Sequence, residues 1–264
     1  MGLVTASPEV VAIDARAVLA DLFGRERDRD IANGVLAGLA TSPSDLADRL
    51  VELAGSDADR RADFTDAIGR AAARLAPDGE APRSGAEAEA WRALVGAAAR
   101  LHGFGAAALG RLPFVSDRLL EVLAAEARAG LPRSPGARRA VVPSGRMLTN
   151  VARSRKLRDA VSAALEIAVA PTGNAVYEYD PPRSHVATHV DSRSYELVVH
   201  LVIEHGGPGV SELVVHRPDA LEPDRVALRA GEGVALRGRG TIHSWRPLGD
   251  DEDRLLAAIG FVSG

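Results

Sequence analysis

The chain has 264 residues, a formal net charge of −4 and no cysteine. A chain this long can bury well over half of its unfolded surface, so stability requires neither disulfides nor a structural metal. The lack of cysteine excludes disulfides, thiolate zinc sites, iron–sulfur clusters and a cysteine nucleophile, and agrees with a reducing compartment.

From the N-terminus, acidic Glu9 and Asp14 arrive too early for a signal peptide. Nowhere does an apolar run approach the roughly 20 residues that cross a bilayer. Charges of both signs are mixed, with no long basic run to meet a nucleic acid. A cytoplasmic globular protein acting on neither membranes nor nucleic acids is expected.

Up to about residue 130 the chain reads as helix. Ser7-Pro8 has the form of an N-cap followed by proline at the first helical position, and Gly24 is placed to end that helix. Ser44 opens SDLADRLVELAG, in which Leu46, Leu50, Val51 and Leu53 recur at helical spacing before Gly55. Further helices are expected over 60–75, 86–101 and 116–129. These segments are rich in alanine and poor in distinctive polar groups, and read as packed support. GLPRSPGARRAVVPSGR, from Gly130 to Arg146, is a loop by its prolines and glycines. One more helix follows near 149–168.

After Pro171 the period becomes two. NAVYEYD, HVATHVD, YELVVHLVI, GVSELVVH, DRVALRA, EGVALRG, TIHSWRP and RLLAAIGFV are short β-rich runs separated by turn residues. Together they predict a compact antiparallel barrel or jelly roll. The fold class is α+β: a helical region and linker over 1–148 against a β core over 149–264, forming one folded unit.

Six of the seven histidines (185, 189, 200, 205, 216 and 243) and all three tyrosines (177, 179 and 195) lie in the β half. Any metal or acid–base site belongs there. In HVATHVD, His189 and Asp191 point to the same side of a strand, about 7 Å apart at the backbone, which suits two positions on one ion. His185 would lie about 13 Å further along, too far to share it. A helical zinc-protease pair needs a glutamate after the first histidine, and Val186 and Ala187 fill the middle instead. A third candidate ligand, His243, lies 52 residues beyond Asp191 in a short run after the turn GRG. Arg254 opens the last apolar run, sharing a face with Leu256 and Ala258 and so directed inward. A buried arginine needs an anion, and its planar fork matches a carboxylate.

This pattern resembles the non-haem iron(II), 2-oxoglutarate-dependent dioxygenases, built on a double-stranded β-helix. Their signature is His-x-Asp, a distal histidine about fifty residues later and a basic residue about ten further on, leaving open positions on the iron. Here those residues are His189, Asp191, His243 and Arg254. Tyr179, ten residues before His189, matches the family's lead-in tyrosine, and AGEGVALRG its strand before the distal histidine. The resemblance spans roughly Asn174 to Val262 and leaves the helical half unmatched. It implies that 2-oxoglutarate binds the iron through its keto oxygen and C1 carboxylate, and oxygen takes the remaining position. Arg254 would hold the distal carboxylate, helped by Tyr179 or Tyr177. Related halogenases carry a small residue in place of the carboxylate ligand; Asp191 favours oxygen chemistry.

The implied activity is hydroxylation of a small molecule such as an amino acid or related metabolite. The substrate would lie between the barrel mouth and the helical half, with 131–148 as a lid. Trp245 shares the face of His243 and either walls the site or packs. His200 in LVVHLVI reads as a packed neutral histidine or as part of the substrate pocket. Arg183 and Arg193 flank the proximal ligands, where they would meet a substrate carboxylate or simply be exposed. The competing expectations are a cupin-like metal-dependent isomerase or ligand-binding protein without oxygen chemistry, and a non-catalytic scaffold. A cupin, however, spaces two histidines two apart with a glutamate soon after.

Overall fold

A computed structural model describes residues 8–25, 29–36, 42–132, 139–220 and 222–264, the side chains of 8–14 and 30 excepted. The expected cap at Ser7 and residues 133–138 of the expected lid lie outside them. The helices are α1 (Pro8–Arg25), α2 (Arg29–Leu36), α3 (Pro43–Ala54), α4 (Ala58–Leu75), α5 (Gly85–His102), α6 (Asp117–Gly130), α7 (Arg146–Ala152) and α8 (Arg155–Leu165). Side-chain oxygens set several starts. Ser42, Asp57, Ser116 and Ser154 each accept from the backbone N–H three residues on.

Two expectations about helices are corrected. Ser42 caps α3 instead of Ser44, because proline at position 43 suits the first helical turn. The single helix expected over 149–168 is two, since Ser154 takes extended backbone and caps α8 afresh.

All eight β-rich runs form strands: β3 (Val169–Asp180), β4 (Val186–His189), β5 (Leu197–His205), β6 (Ser211–Val215), β7 (Asp224–Leu228), β8 (Glu232–Leu236), β9 (His243–Trp245) and β10 (Arg254–Ser263). Two more, β1 (Ala106–Arg111) and β2 (Ala140–Pro143), come from stretches without a strand signal. They form the two edges of a six-stranded antiparallel sheet ordered β1-β8-β5-β10-β3-β2, covering β8 and β3. Pro143 is tolerated because β2 is an edge. A four-stranded antiparallel sheet, β4-β9-β6-β7, forms the second layer.

Three packed clusters result. Between the sheets lie Val186, Val198, Val202, Leu213, Val215, Trp245, Leu256 and Ala258 among others. The opposite face of the larger sheet, with Tyr177, Leu255, Ala257 and Ile259, packs on α6, α7 and α8. Helices α1 to α5 form the third cluster, which reaches β9's lead-in through Ile242. Gly69 lets α4 approach the end of β4: a Cβ there would stand 3.0 Å from Val190 Cγ2 and 3.3 Å from its backbone nitrogen. Thr188 also donates to the Ala76 carbonyl at 2.6 Å. The helical bundle is thus docked beside the strands that carry the histidines. Among the described residues no helix is long and apolar enough to cross a membrane.

Candidate metal centre

His189 on β4 and His243 on β9 are directly paired across strands, with ring centroids 4.4 Å apart. Each ring is oriented by the same local device. His189 Nδ1 lies 2.8 Å from the Ala187 carbonyl, and His243 Nδ1 lies 2.9 Å from that of Thr241. A carbonyl only accepts, so each Nδ1 carries the proton and each Nε2 keeps its lone pair for a ligand. Burial holds both imidazoles down at about 4, so they are neutral near pH 7.

Asp191 completes the cluster. Its Oδ1 is 3.9 Å from His189 Nε2 and 3.8 Å from His243 Nε2. The three ligand atoms lie within 4.8 Å of one another, and this is the metal-competent group among the described residues. Burial pushes the Asp191 carboxyl up to about 6. Asp191 Oδ2 and His243 Nε2 are buried with no hydrogen-bond partner, an arrangement that is costly unless something else binds them. Two neutral imidazoles and a carboxylate on one side are a donor set suited to iron(II).

The backbone of Asp191 is pinned against residue 238 at a close approach. Asp191 N–H donates to the Gly238 carbonyl at 2.9 Å, and Gly238 N–H donates to that of Glu196 at 3.1 Å. A Cβ on residue 238 would strike Asp191 Oδ2 and come within 2.8 Å of its Cβ and 3.0 Å of its Cγ. Gly238→Ala is therefore expected to turn the carboxylate away. We expect a stability loss of about 1–3 kcal/mol from overpacking, and divalent-metal affinity at least about tenfold weaker, the scale seen when ligand support is lost. Calorimetric titration with manganese(II) checks this; native affinity in the variant would show that the close approach is dispensable.

Arg254 is fully buried and directed between the sheets, beside its cross-strand neighbour Asp180. Its Nε and Nη2 donate to one carboxylate oxygen, Asp180 Oδ2, at 3.1 and 2.7 Å. The guanidinium carbon sits 4.4 Å above the Trp245 ring, and Nη1 is buried without a partner. Trp245 itself is 1% exposed and walls this space. Arg139, just before β2, approaches the same group, 2.5 Å from Glu178 and 3.5 Å from Asp180.

The expected tyrosines do not reach the site. Tyr177 hydroxyl donates to Glu126 on α6, and Tyr179 hydroxyl to Asp253 at 3.2 Å. Both face the helical side of β3, because alternation sends Val176, Glu178 and Asp180 inward. Arg183 is exposed and paired with Asp250. Arg193 pairs with Asp63 and Asp66 on α4. Neither arginine lines the cleft beside His189 and Asp191, and His185 is exposed.

His200 is brought in, 5.8 Å between ring centroids from His243. Glu178, Asp180, Arg139 and Gly238 were missed by sequence reasoning. The first two had a signal, since E and D alternate with the tyrosines of VYEYD and must share a face. Beside the cluster a cleft of 430 Å³ runs between α4 and β4, lined by Asp66, Gly69, Ala73, Arg139, Val186 and His189 among others.

No protein-family model matches the sequence, and comparison with curated proteins finds no match. Several solved structures are similar to the chain. One is a 2OG-Fe(II) oxygenase-family oxidoreductase from Burkholderia pseudomallei, with 16% identity and a TM-score of 0.44, covering 54% of this chain and 76% of that one. HygX from Streptomyces hygroscopicus, solved with nickel, 2-oxoglutarate and hygromycin B, has 13% identity and a TM-score of 0.48, covering 60% and 82%. AviO1 from Streptomyces viridochromogenes Tue57 has 16% identity and a TM-score of 0.46, covering 62% and 92%.

Proposed function

We propose that this protein is an iron(II)- and 2-oxoglutarate-dependent oxygenase that hydroxylates a small molecule, such as an amino acid or related metabolite. The observation that carries the reading is the set of unpartnered polar atoms between the sheets. Asp191 Oδ2 and His243 Nε2 belong to the metal-competent cluster, and Arg254 Nη1 belongs to the guanidinium over Trp245. A metal ion alone would satisfy the first two and leave the arginine unmet. A metal ion together with a 2-oxo acid that carries a second carboxylate would satisfy all three, the ion meeting the two acceptors and the carboxylate the arginine. The strand orders β8-β5-β10-β3 and β4-β9-β6-β7 further support a double-stranded β-helix, the eight-stranded form of the jelly roll.

In this reading His189, Asp191 and His243 hold iron(II), and Arg254 receives the distal carboxylate of 2-oxoglutarate through Nη1. Bound iron(II) supplies the oxygen chemistry by which 2-oxoglutarate, oxygen and the substrate give succinate, carbon dioxide and the hydroxylated product. The chain's own contribution is positioning. Carbonyls of Ala187 and Thr241 fix the imidazole tautomers, Gly238 leaves room for the carboxylate, and Trp245 excludes water beside Arg254. The substrate is received in the cleft between α4 and β4, with Arg139 at its wall.

Anaerobic addition of iron(II) and then 2-oxoglutarate to metal-free protein tests the reading. A visible charge-transfer band that saturates with 2-oxoglutarate is expected, followed in air by succinate formation. Absence of the band, together with tight retention of zinc or manganese, would overturn it in favour of a cupin-like isomerase or binding protein.

A further inference from the structure

His200 sits on β5 between the two sheets, 3% exposed, and both of its ring nitrogens are buried without a hydrogen-bond partner. Whatever its tautomer, a neutral imidazole presents one N–H and one lone pair, so the burial leaves a donor and an acceptor unmet. Phenylalanine or leucine would fill the space without that cost. The metal cluster does not account for the residue, because its nitrogens are not among the atoms that converge there.

Its location narrows what would. The ring lies 5.8 Å from that of His243 and, edge-on, 5.7 Å from that of Trp245. Trp245 in turn carries the Arg254 guanidinium 4.4 Å from its centroid. His200 therefore stands between the metal-competent cluster and Arg254, linked to the first through His243 and to the second through Trp245. Asp180 already occupies Nε and Nη2 of Arg254. A carboxylate arriving there meets one free guanidinium nitrogen where a free arginine offers a two-point fork.

We propose that His200 donates a ring N–H to the carboxylate that Arg254 receives, supplying the donor which Asp180 has taken from the arginine. This rests on the oxygenase reading above. It makes His200 a co-substrate contact and assigns Asp180 the matching role of limiting Arg254 to a single contact.

The test compares His200→Phe and His200→Gln with the native protein, reading iron(II) affinity, the 2-oxoglutarate dependence of the charge-transfer band, and Tm. In His200→Phe we expect 2-oxoglutarate to bind at least tenfold more weakly, iron(II) affinity to stay within twofold, and Tm to hold or rise because unmet polar atoms have been removed. His200→Gln, which restores an N–H, should recover part of the lost affinity. An unchanged 2-oxoglutarate affinity with a lowered Tm would overturn the proposal and make His200 a packing residue. A native protein that shows no band would instead overturn the underlying oxygenase reading, and His200 would lose its co-substrate with it.

Discussion

Arg254→Met is expected to cost the fold about 3–5 kcal/mol, the usual penalty for leaving one partner of a buried ion pair alone. Arg254 and Asp180 both have fully buried side chains. Once the guanidinium is gone, Asp180 keeps only the longer approach of Arg139 Nε at 3.5 Å. At about 2–4 °C per kcal/mol for a chain approaching this size, Tm should fall by roughly 10 °C. Adding Asp180→Leu should return most of that loss, because an apolar pair of similar volume replaces a buried ion pair at little net cost. Thermal melts of the single and double variants decide the matter. A single variant as stable as the native protein would mean that the pair does not hold the interior together. The double variant also gives the cleaner probe of co-substrate binding, since it lacks Nη1 without leaving an unpaired buried charge.

Divalent-metal binding should collapse in His243→Ala and should weaken in acid in a defined way. His243 is one of the three side chains whose ligand atoms converge, and it is fully buried. Loss of a supporting group around a metal typically costs 10–100-fold in affinity, so loss of the ligand itself should exceed about 100-fold. The pH dependence follows from burial. The Asp191 carboxyl titrates at about 6 in the metal-free protein, and the two ligand imidazoles at about 4. Above pH 6 no proton competes with the ion. Between 6 and 4 each ion must displace one proton from Asp191, so affinity should fall about tenfold per pH unit, and more steeply below 4. Because the folded carboxyl binds its proton more tightly than the unfolded one, Asp191 stabilises the metal-free fold in acid. That contribution disappears as pH rises through 6, where a bound cation takes over. Calorimetric titration with manganese(II) from pH 4.5 to 7.5 reads the slope. An affinity flat across pH 6 would show that no proton on Asp191 competes with the ion in this range.

Several features of this protein could be read from residue order alone because they depend on local periods. Alternation over HVATHVD predicts His189 and Asp191 on one side; in the fold β4 ends at His189, and the ligand atoms of the two residues lie together with that of His243. Alternation in RLLAAIGFV likewise turned Arg254 inward with Leu256 and Ala258. Eight strands were legible because turn residues punctuate them. Strands β1 and β2 were not, since each owes its existence to a sheet edge formed by distant residues.

The same periodicity failed for VYEYD in an instructive way. It separates Tyr177 and Tyr179 from Glu178 and Asp180 correctly, but it carries no information about which set faces the chamber. Packing of β3 against α7 and α8, with α6 supplying Glu126 to Tyr177, sent the tyrosines outward. Strand register then set Asp180 beside Arg254, and the Gly238 loop came against Asp191 through backbone pairing across nearly fifty residues. Sequence by itself determined the α+β character and the eight strands, and brought forward His189, Asp191 and His243 as candidate ligands, because turn residues and the period of two are local features. Only tertiary structure decided the anion on Arg254, the direction of the tyrosines and the neighbours of His200, because those depend on which distant surfaces are buried together.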